Sequence, residues 1–130
     1  MSSLSKKAVA TPFAPGPVGP YSQAVASGSL VFVSGQLGMK PGEKLPDSVE
    51  EQTKLALSNM QVILSQAGCT MNDVLKTTVF LRDMDDFAAV NSIYAGFFDA
   101  PYPARAAYQV SRLPLNAMVE IEAVARLKER

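Results

Sequence analysis

The stretch SVEEQTKLALSNMQVILSQAG, residues 48–68, constrains the fold more than any other part of the chain. Val49, Thr53, Ala56, Met60, Ile63 and Ala67 recur at steps of three and four, and Leu57 and Leu64 widen the stripe. Only an α-helix gathers residues at that spacing onto one side. Ser48 and Glu51 match a capping box, which predicts a start just after Ser48, and Gly68 supplies the natural stop. An apolar stripe of this length must be covered by something equally extended.

Strands are the material on offer. YSQAVASGSLVFVSGQ reads as two short strands around a Ser-Gly turn, and VLKTTVFLR, ARAAYQVS and VEIEAVARL read as three more. KKAVA adds a short one near the start. TPFAPGPVGP, dense in Pro and Gly, predicts a loop, as does MKPGEKLPD. Asp85 or Asp86 is placed to cap a second helix, DFAAVNSIYAGFF, with a stripe of Phe87, Val90, Asn91, Tyr94, Phe97 and Phe98. The order is three strands, helix, strand, helix, two strands. One mixed sheet covered on one face by both helices, an α+β arrangement, is the economical solution. No repeat or linker interrupts residues 1–130, so one domain is expected, with 48% apolar residues to build its core. Helices on one face leave the other bare, although the strands are apolar there too. A homo-oligomer is expected to hide it.

Composition removes much chemistry. The chain has no histidine, which excludes histidine-dependent triads and histidine-bearing zinc sites, and one cysteine, Cys69, cannot form a cysteine-only zinc site or an internal disulfide. No phosphate-binding or dinucleotide-binding glycine motif is present. Neither a metal nor a cofactor is expected. Twelve basic and twelve acidic residues cancel, leaving no electrostatic footprint for non-specific nucleic-acid or anionic-membrane binding. No apolar run reaches membrane-spanning length. The start, MSSLSKKAVA, lacks a secretory apolar stretch. A cytoplasmic protein is the expectation, and the acid-free, Ser- and Lys-bearing start leaves mitochondrial targeting open.

Catalysis in such a chain falls to carboxylates, Arg, Lys, Tyr, hydroxyls and backbone. In PYPARAAYQV, Arg105 sits in a stretch that looks made for burial, and a buried guanidinium needs a partner. Two readings follow: an internal ion pair with Glu120, Glu122 or an Asp, or a bidentate clamp on a small carboxylate or phosphate. In the last strand, alternation places Val119, Ile121, Ala123 and Ala125 on one face and Glu120, Glu122, Val124 and Arg126 on the other. A partly enclosed carboxylate there would have a raised pKa and could move protons near neutrality. Asn91, on the buried stripe of the second helix, is either satisfied by backbone or faces a pocket. Tyr21 and Ser34 bring hydroxyls close to glycines, Gly35 directly following Ser34.

GPYSQA, VFVSGQ, KTTVFL, VNSIYAGFF, PARAAYQV and VEIEAVA occur in an order that resembles the RidA, or YjgF-type, family over about residues 7–127. The resemblance implies a chorismate-mutase-like fold and a homotrimer with three clefts between subunits. It also implies hydrolysis of reactive 2-imino acids and enamines, such as 2-aminoacrylate and 2-iminobutyrate, to 2-keto acids and ammonia. By resemblance, Arg105 grips the substrate carboxylate, Glu120 activates water, and Tyr21, Ser34, Gly35, Asn91 and Ala107 bind substrate. Many members carry cysteine two residues after the arginine. This chain has Ala107, so thiol chemistry at that position is ruled out, while imine hydrolysis needs only the carboxylate, the guanidinium and main-chain groups.

The rival reading, endoribonuclease or translation inhibitor, would rest phosphodiester cleavage on Glu120 with Arg105 on phosphate, against a neutral charge balance that predicts weak RNA affinity. A third reading is a chaperone-like binding protein with vestigial clefts. The joint presence of Arg105 and Glu120 favours the enzyme.

Overall fold

A computed structural model describes residues 5–127. The first four residues of the acid-free start, on which the targeting expectation rests, lie outside the described residues. The strands are β1 (Lys7–Val9), β2 (Ala24–Ser27), β3 (Leu30–Leu37), β4 (Val74–Leu81), β5 (Ala104–Gln109) and β6 (Val119–Arg126), with helices α1 (Val49–Gln66) and α2 (Phe87–Ala95). They form one six-stranded sheet of order β1-β2-β3-β6-β4-β5. Every pairing is antiparallel except β4 with β5, which α2 connects. The expected α+β arrangement is what forms.

Both ends of α1 follow from its sequence. Ser48 Oγ accepts from the Glu51 amide at 3.1 Å, satisfying one of the unpaired first-turn donors. Gly68 takes a left-handed φ of 81°, so that the Cys69 amide can close on the Leu64 carbonyl. Met60, Ile63, Leu57, Leu64 and Thr53 are fully buried against the sheet. α1 packs on β3 and β6, and α2 packs beside α1. At Gly38 any side chain would collide with the Gln52 backbone, so only glycine lets α1 lie this close to the end of β3.

The second helix starts differently from its expectation. Asp86, one of the two expected residues, occupies its N-cap position but makes no side-chain capping hydrogen bond. Asp83 accepts from the Asp85 amide at 2.9 Å and nucleates a 3-10 turn at Met84–Asp86, from which α2 continues. α2 ends at Ala95, so Phe97 and Phe98 pack from the following turn, Phe98 being buried with its ring 4.6 Å from that of Tyr94.

The helix-covered face of the sheet holds Val31, Val33, Val79, Leu81, Val119, Ile121 and Ala123. The opposite face is uncovered in the chain. Register puts Phe32 beside Val124, Phe80 between Glu120 and Tyr108, and Thr78 between Glu122 and Ala106 on that face. Phe32 and Tyr108 are about half exposed. The bare face is therefore apolar, as expected, with carboxylates set into it.

Candidate functional site

Between Val33 and Gln36 the β3–β6 register shifts, because three steps along β3 oppose two along β6. Such an irregularity re-aims side chains. Here it brings Ser34 and Gly35 alongside Glu120. A Cβ on Gly35 would lie 2.6 Å from Glu120 Oε2, so the carboxylate rests directly over the glycine backbone. Glu120 is half-buried, and its pKa is raised, first by burial and then by the neighbouring charge of Glu122. This is the enclosed carboxylate that strand alternation predicts.

Glu120 faces a cleft of about 770 Å³ that also takes in Tyr21, Ser34, Gly35, Glu122 and Leu115. Ser34 donates to the Ser22 carbonyl at 2.6 Å, so its hydroxyl can only accept from a ligand. Tyr21 is half exposed. The Pro- and Gly-rich loop forming one wall is stapled by Gln23. Its Oε1 accepts from the Thr11 amide, and its Nε2 donates to the Thr11, Ala14 and Pro15 carbonyls. Gln52 works similarly from α1, donating to the Pro46 carbonyl and accepting from the Met118 amide just ahead of Glu120. Neither glutamine was singled out by the sequence reading, because its importance comes from long-range backbone partners.

Arg105 is not buried and makes no ion pair with Glu120 or Glu122, so the internal-pair expectation is corrected. The parallel pairing of β5 with β4 puts it beside Thr77, on the helix side of the sheet. There Asn91 Oδ1 accepts from Arg105 Nη1 at 2.7 Å, and the guanidinium lies over the rings of Tyr94 (4.9 Å) and Phe87 (5.3 Å). Asn91 thus orients the guanidinium rather than bonding backbone. Tyr94 is fixed in turn by a 2.7 Å hydrogen bond with Thr77, and burial pushes its phenol above the ordinary value, against the opposing pulls of that bond and of Arg105. Ala107 shares the Arg105 side of β5 and packs at the core margin. An arginine–carboxylate pair forms elsewhere, between Arg126 and buried Asp73 at 3.2 Å.

The expected site residues therefore fall into two groups. Tyr21, Ser34, Gly35 and Glu120 line one cleft, and Arg105, Asn91 and Ala107 lie at the other edge of the sheet. Among the described residues that line the cleft there is no lysine or arginine. It is an anionic cavity, suited to a small cation and unsuited to a polyphosphate backbone. Among the described residues, no helix is long and apolar enough to cross a membrane.

Fold and cleft together define an α+β protein with a half-buried carboxylate of raised pKa on its uncovered sheet face. Residues 11–127 match the family model described as Endoribonuclease L-PSP, and the chain belongs to that family, the YjgF/RidA family. It is 50% identical over 127 residues to a Mus musculus protein named 2-iminobutanoate/2-iminopropanoate deaminase, covering 96% of this chain and 94% of that one. It is 51% identical to the chloroplastic Reactive Intermediate Deaminase A of Arabidopsis thaliana, covering 97% of this chain and 68% of the relative. Among solved structures, E. coli TdcF with bound serine superposes with a TM-score of 0.90 at 44% identity, covering 94% of this chain and 99% of that one.

Proposed function

We propose that this protein is a 2-imino acid deaminase, hydrolysing 2-iminobutanoate, 2-iminopropanoate and their enamine tautomers to 2-keto acids and ammonia. The observation that carries this reading is the Glu120 carboxylate, half-buried over Gly35 with a raised pKa, in a cleft lined by acids and not by bases. A protonated imine is cationic and already electrophilic at C2, so it needs placement, a water and a proton acceptor. Glu120 takes a proton from water as the oxygen bonds to C2, giving a carbinolamine. The protonated Glu120 returns that proton to nitrogen. The C–N bond then breaks as the hydroxyl becomes the keto oxygen, and its proton leaves with the nitrogen as ammonium. Arg105, with Asn91 on one nitrogen and the others open, clamps the substrate carboxylate bidentately.

Arg105 and Glu120 act on one substrate only if two copies of the chain contribute. We infer a homotrimer in which one subunit supplies the Tyr21–Ser34–Gly35–Glu120 cleft and its neighbour supplies Arg105, Asn91 and Ala107. The exposed Phe32 and Tyr108, with the partly exposed Phe80 and Val124 between them, support such an assembly. The 1–130 chain acts as one such domain, in the cytoplasm or, as the chloroplastic relative suggests, an organelle. RNA cleavage is the poorer fit, because one guanidinium beside the Glu120 and Glu122 carboxylates suits a single small carboxylate and offers little to a polyanion. The test is to generate 2-iminobutanoate in situ and follow keto-acid release. Acceleration over the uncatalysed rate that Glu120→Gln abolishes supports the reading. No acceleration by the wild-type chain overturns it.

A further inference from the structure

One residue at the cleft mouth is explained neither by folding nor by the proposed chemistry. Leu115 has φ 56° and ψ 21°, the left-handed region that β-carbon-bearing residues avoid. Its neighbour Asn116 is also left-handed, but asparagine tolerates that conformation and leucine does not. The strain does not serve the core, since Leu115 is 71% exposed. Leu113 and Ala117, on either side, are buried and anchor the turn. Hydrogen bonds from the Asn116 amide to the Leu113 carbonyl and from the Ala117 amide to the Pro114 carbonyl close it, and Arg82 Nη1 donates to the Asn116 carbonyl at 3.0 Å. The turn is thus braced in a conformation that holds a large apolar side chain out over the cleft containing Glu120. Val18, 98% exposed on the proline-rich loop, lines the same cleft, and Leu37 and Met39 line it as well.

Strain maintained by surrounding bonds at the edge of a reactive site points to a functional use. We infer that Leu115 is the specificity-determining residue of the cleft, forming the apolar wall against which the substrate side chain packs, so that imines with unbranched aliphatic side chains of two or three carbons are favoured over the single-methyl imine. This rests on the proposed deaminase reading and adds to it a substrate preference and the residue that sets it. The three-carbon imine carries only a methyl beyond C2 and does not depend on the wall. Each further methylene gains contact with it.

The experiment compares imines generated in situ by an amino-acid oxidase from alanine, 2-aminobutyrate and norvaline, using wild type, Leu115→Gly and Leu115→Met at matched concentrations. Glycine removes the wall and relieves the left-handed strain at once. The expected result is a kcat/KM for the norvaline-derived imine that falls about tenfold relative to the alanine-derived one, together with a melting temperature above wild type. Leu115→Met, which restores an apolar side chain, should recover the preference. An unchanged preference in Leu115→Gly, with the wild type active, overturns the assignment and leaves the deaminase reading intact. So does a Leu115→Gly protein that melts lower or dissociates, because Leu115 would then be an assembly contact. An inactive wild type defeats the deaminase reading and this inference with it.

Discussion

Arg105 and Glu120 stand on opposite faces of one sheet. The register is unambiguous: Arg105 pairs with Thr77, whose hydroxyl meets Tyr94 of α2, whereas Glu120 pairs with Phe80 on the uncovered face. One strand separates them laterally as well, since β4 lies between β5 and β6. A cation that holds a substrate and a carboxylate that hydrolyses it cannot meet across a packed sheet. If both serve one reaction, each must serve it from a different copy.

Subunit complementation tests this directly. Arg105→Ala and Glu120→Gln should each be inactive while remaining folded and assembled. Co-expressed in equal amounts, they should regain activity, because about a quarter of randomly assembled intersubunit sites pair an intact arginine with an intact glutamate. Mixed assemblies that stay inactive, with mixing verified by differently tagged subunits, would defeat the shared site.

Gly35 is the next prediction. Glycine is demanded here by proximity to Glu120, for the added carbon would meet the end of a flexible side chain rather than rigid backbone. Gly35→Ala should therefore fold with stability changed by no more than about 1 kcal/mol. Displacing the carboxylate from its place in the cleft should still lower kcat by about a hundredfold. Denaturant titration and steady-state kinetics on one preparation separate the two effects, and a variant with full activity would mean that the carboxylate's seat over Gly35 is irrelevant to catalysis.

Proton linkage at Glu120 gives a pair of opposed expectations. Burial and then the charge of Glu122 favour the protonated carboxyl, so folding raises its pKa. The stability gained from holding that proton is present in full below the unfolded value and is lost as pH rises through the folded value. Glu120→Gln, which cannot ionise, should accordingly melt higher than wild type at pH 8, and the difference should vanish at pH 4. Activity runs the other way, since the base must be ionised: kcat/KM should fall as pH drops through the raised pKa. Glu122→Gln removes the like charge and should move that acid limb to lower pH, as a pH–rate profile would register. An unmoved limb would assign the titration to another group.

Much of this was legible from periodicity. The α1 stripe and its Ser48 and Gly68 boundaries are local signals, and so is the alternation that put Glu120 and Glu122 on the face away from Ile121. The β3 irregularity was not legible, because it exists only through pairing with β6, and without it the placement of Gly35 against Glu120 could not be foreseen. Arg105 misled for a related reason. Its apolar neighbours in sequence suggested burial, yet β5 is an edge strand with a neighbouring strand on one side only, and Arg105 stays exposed. Asp83, not Asp86, makes the side-chain capping bond, because a 3-10 turn precedes α2, a choice that composition does not distinguish in a run rich in aspartate. Leu115 left no sequence signal, since a left-handed leucine is what propensity argues against.

The seat of Arg105 yields the last prediction. Phe87, Asn91 and Tyr94 are spaced so that one side of α2 presents two rings and an amide to a single guanidinium. Each ring contributes about 0.5–1 kcal/mol at an exposed site, so Phe87→Leu should raise KM about two- to fivefold. Asn91→Ala, which releases the hydrogen-bonded nitrogen, should raise KM about tenfold, a charge-assisted bond being the stronger restraint. In both, kcat should hold within about a factor of three, because a carboxylate clamp binds substrate and transition state alike. Tyr94→Phe is the control. It keeps the ring under Arg105 but strands the buried Thr77 hydroxyl, so it should cost about 1–3 kcal/mol of stability with KM unchanged. A Phe87 or Asn91 variant that loses kcat at constant KM would mean that Arg105 acts on the chemical step itself, and the clamp would have to be reassigned.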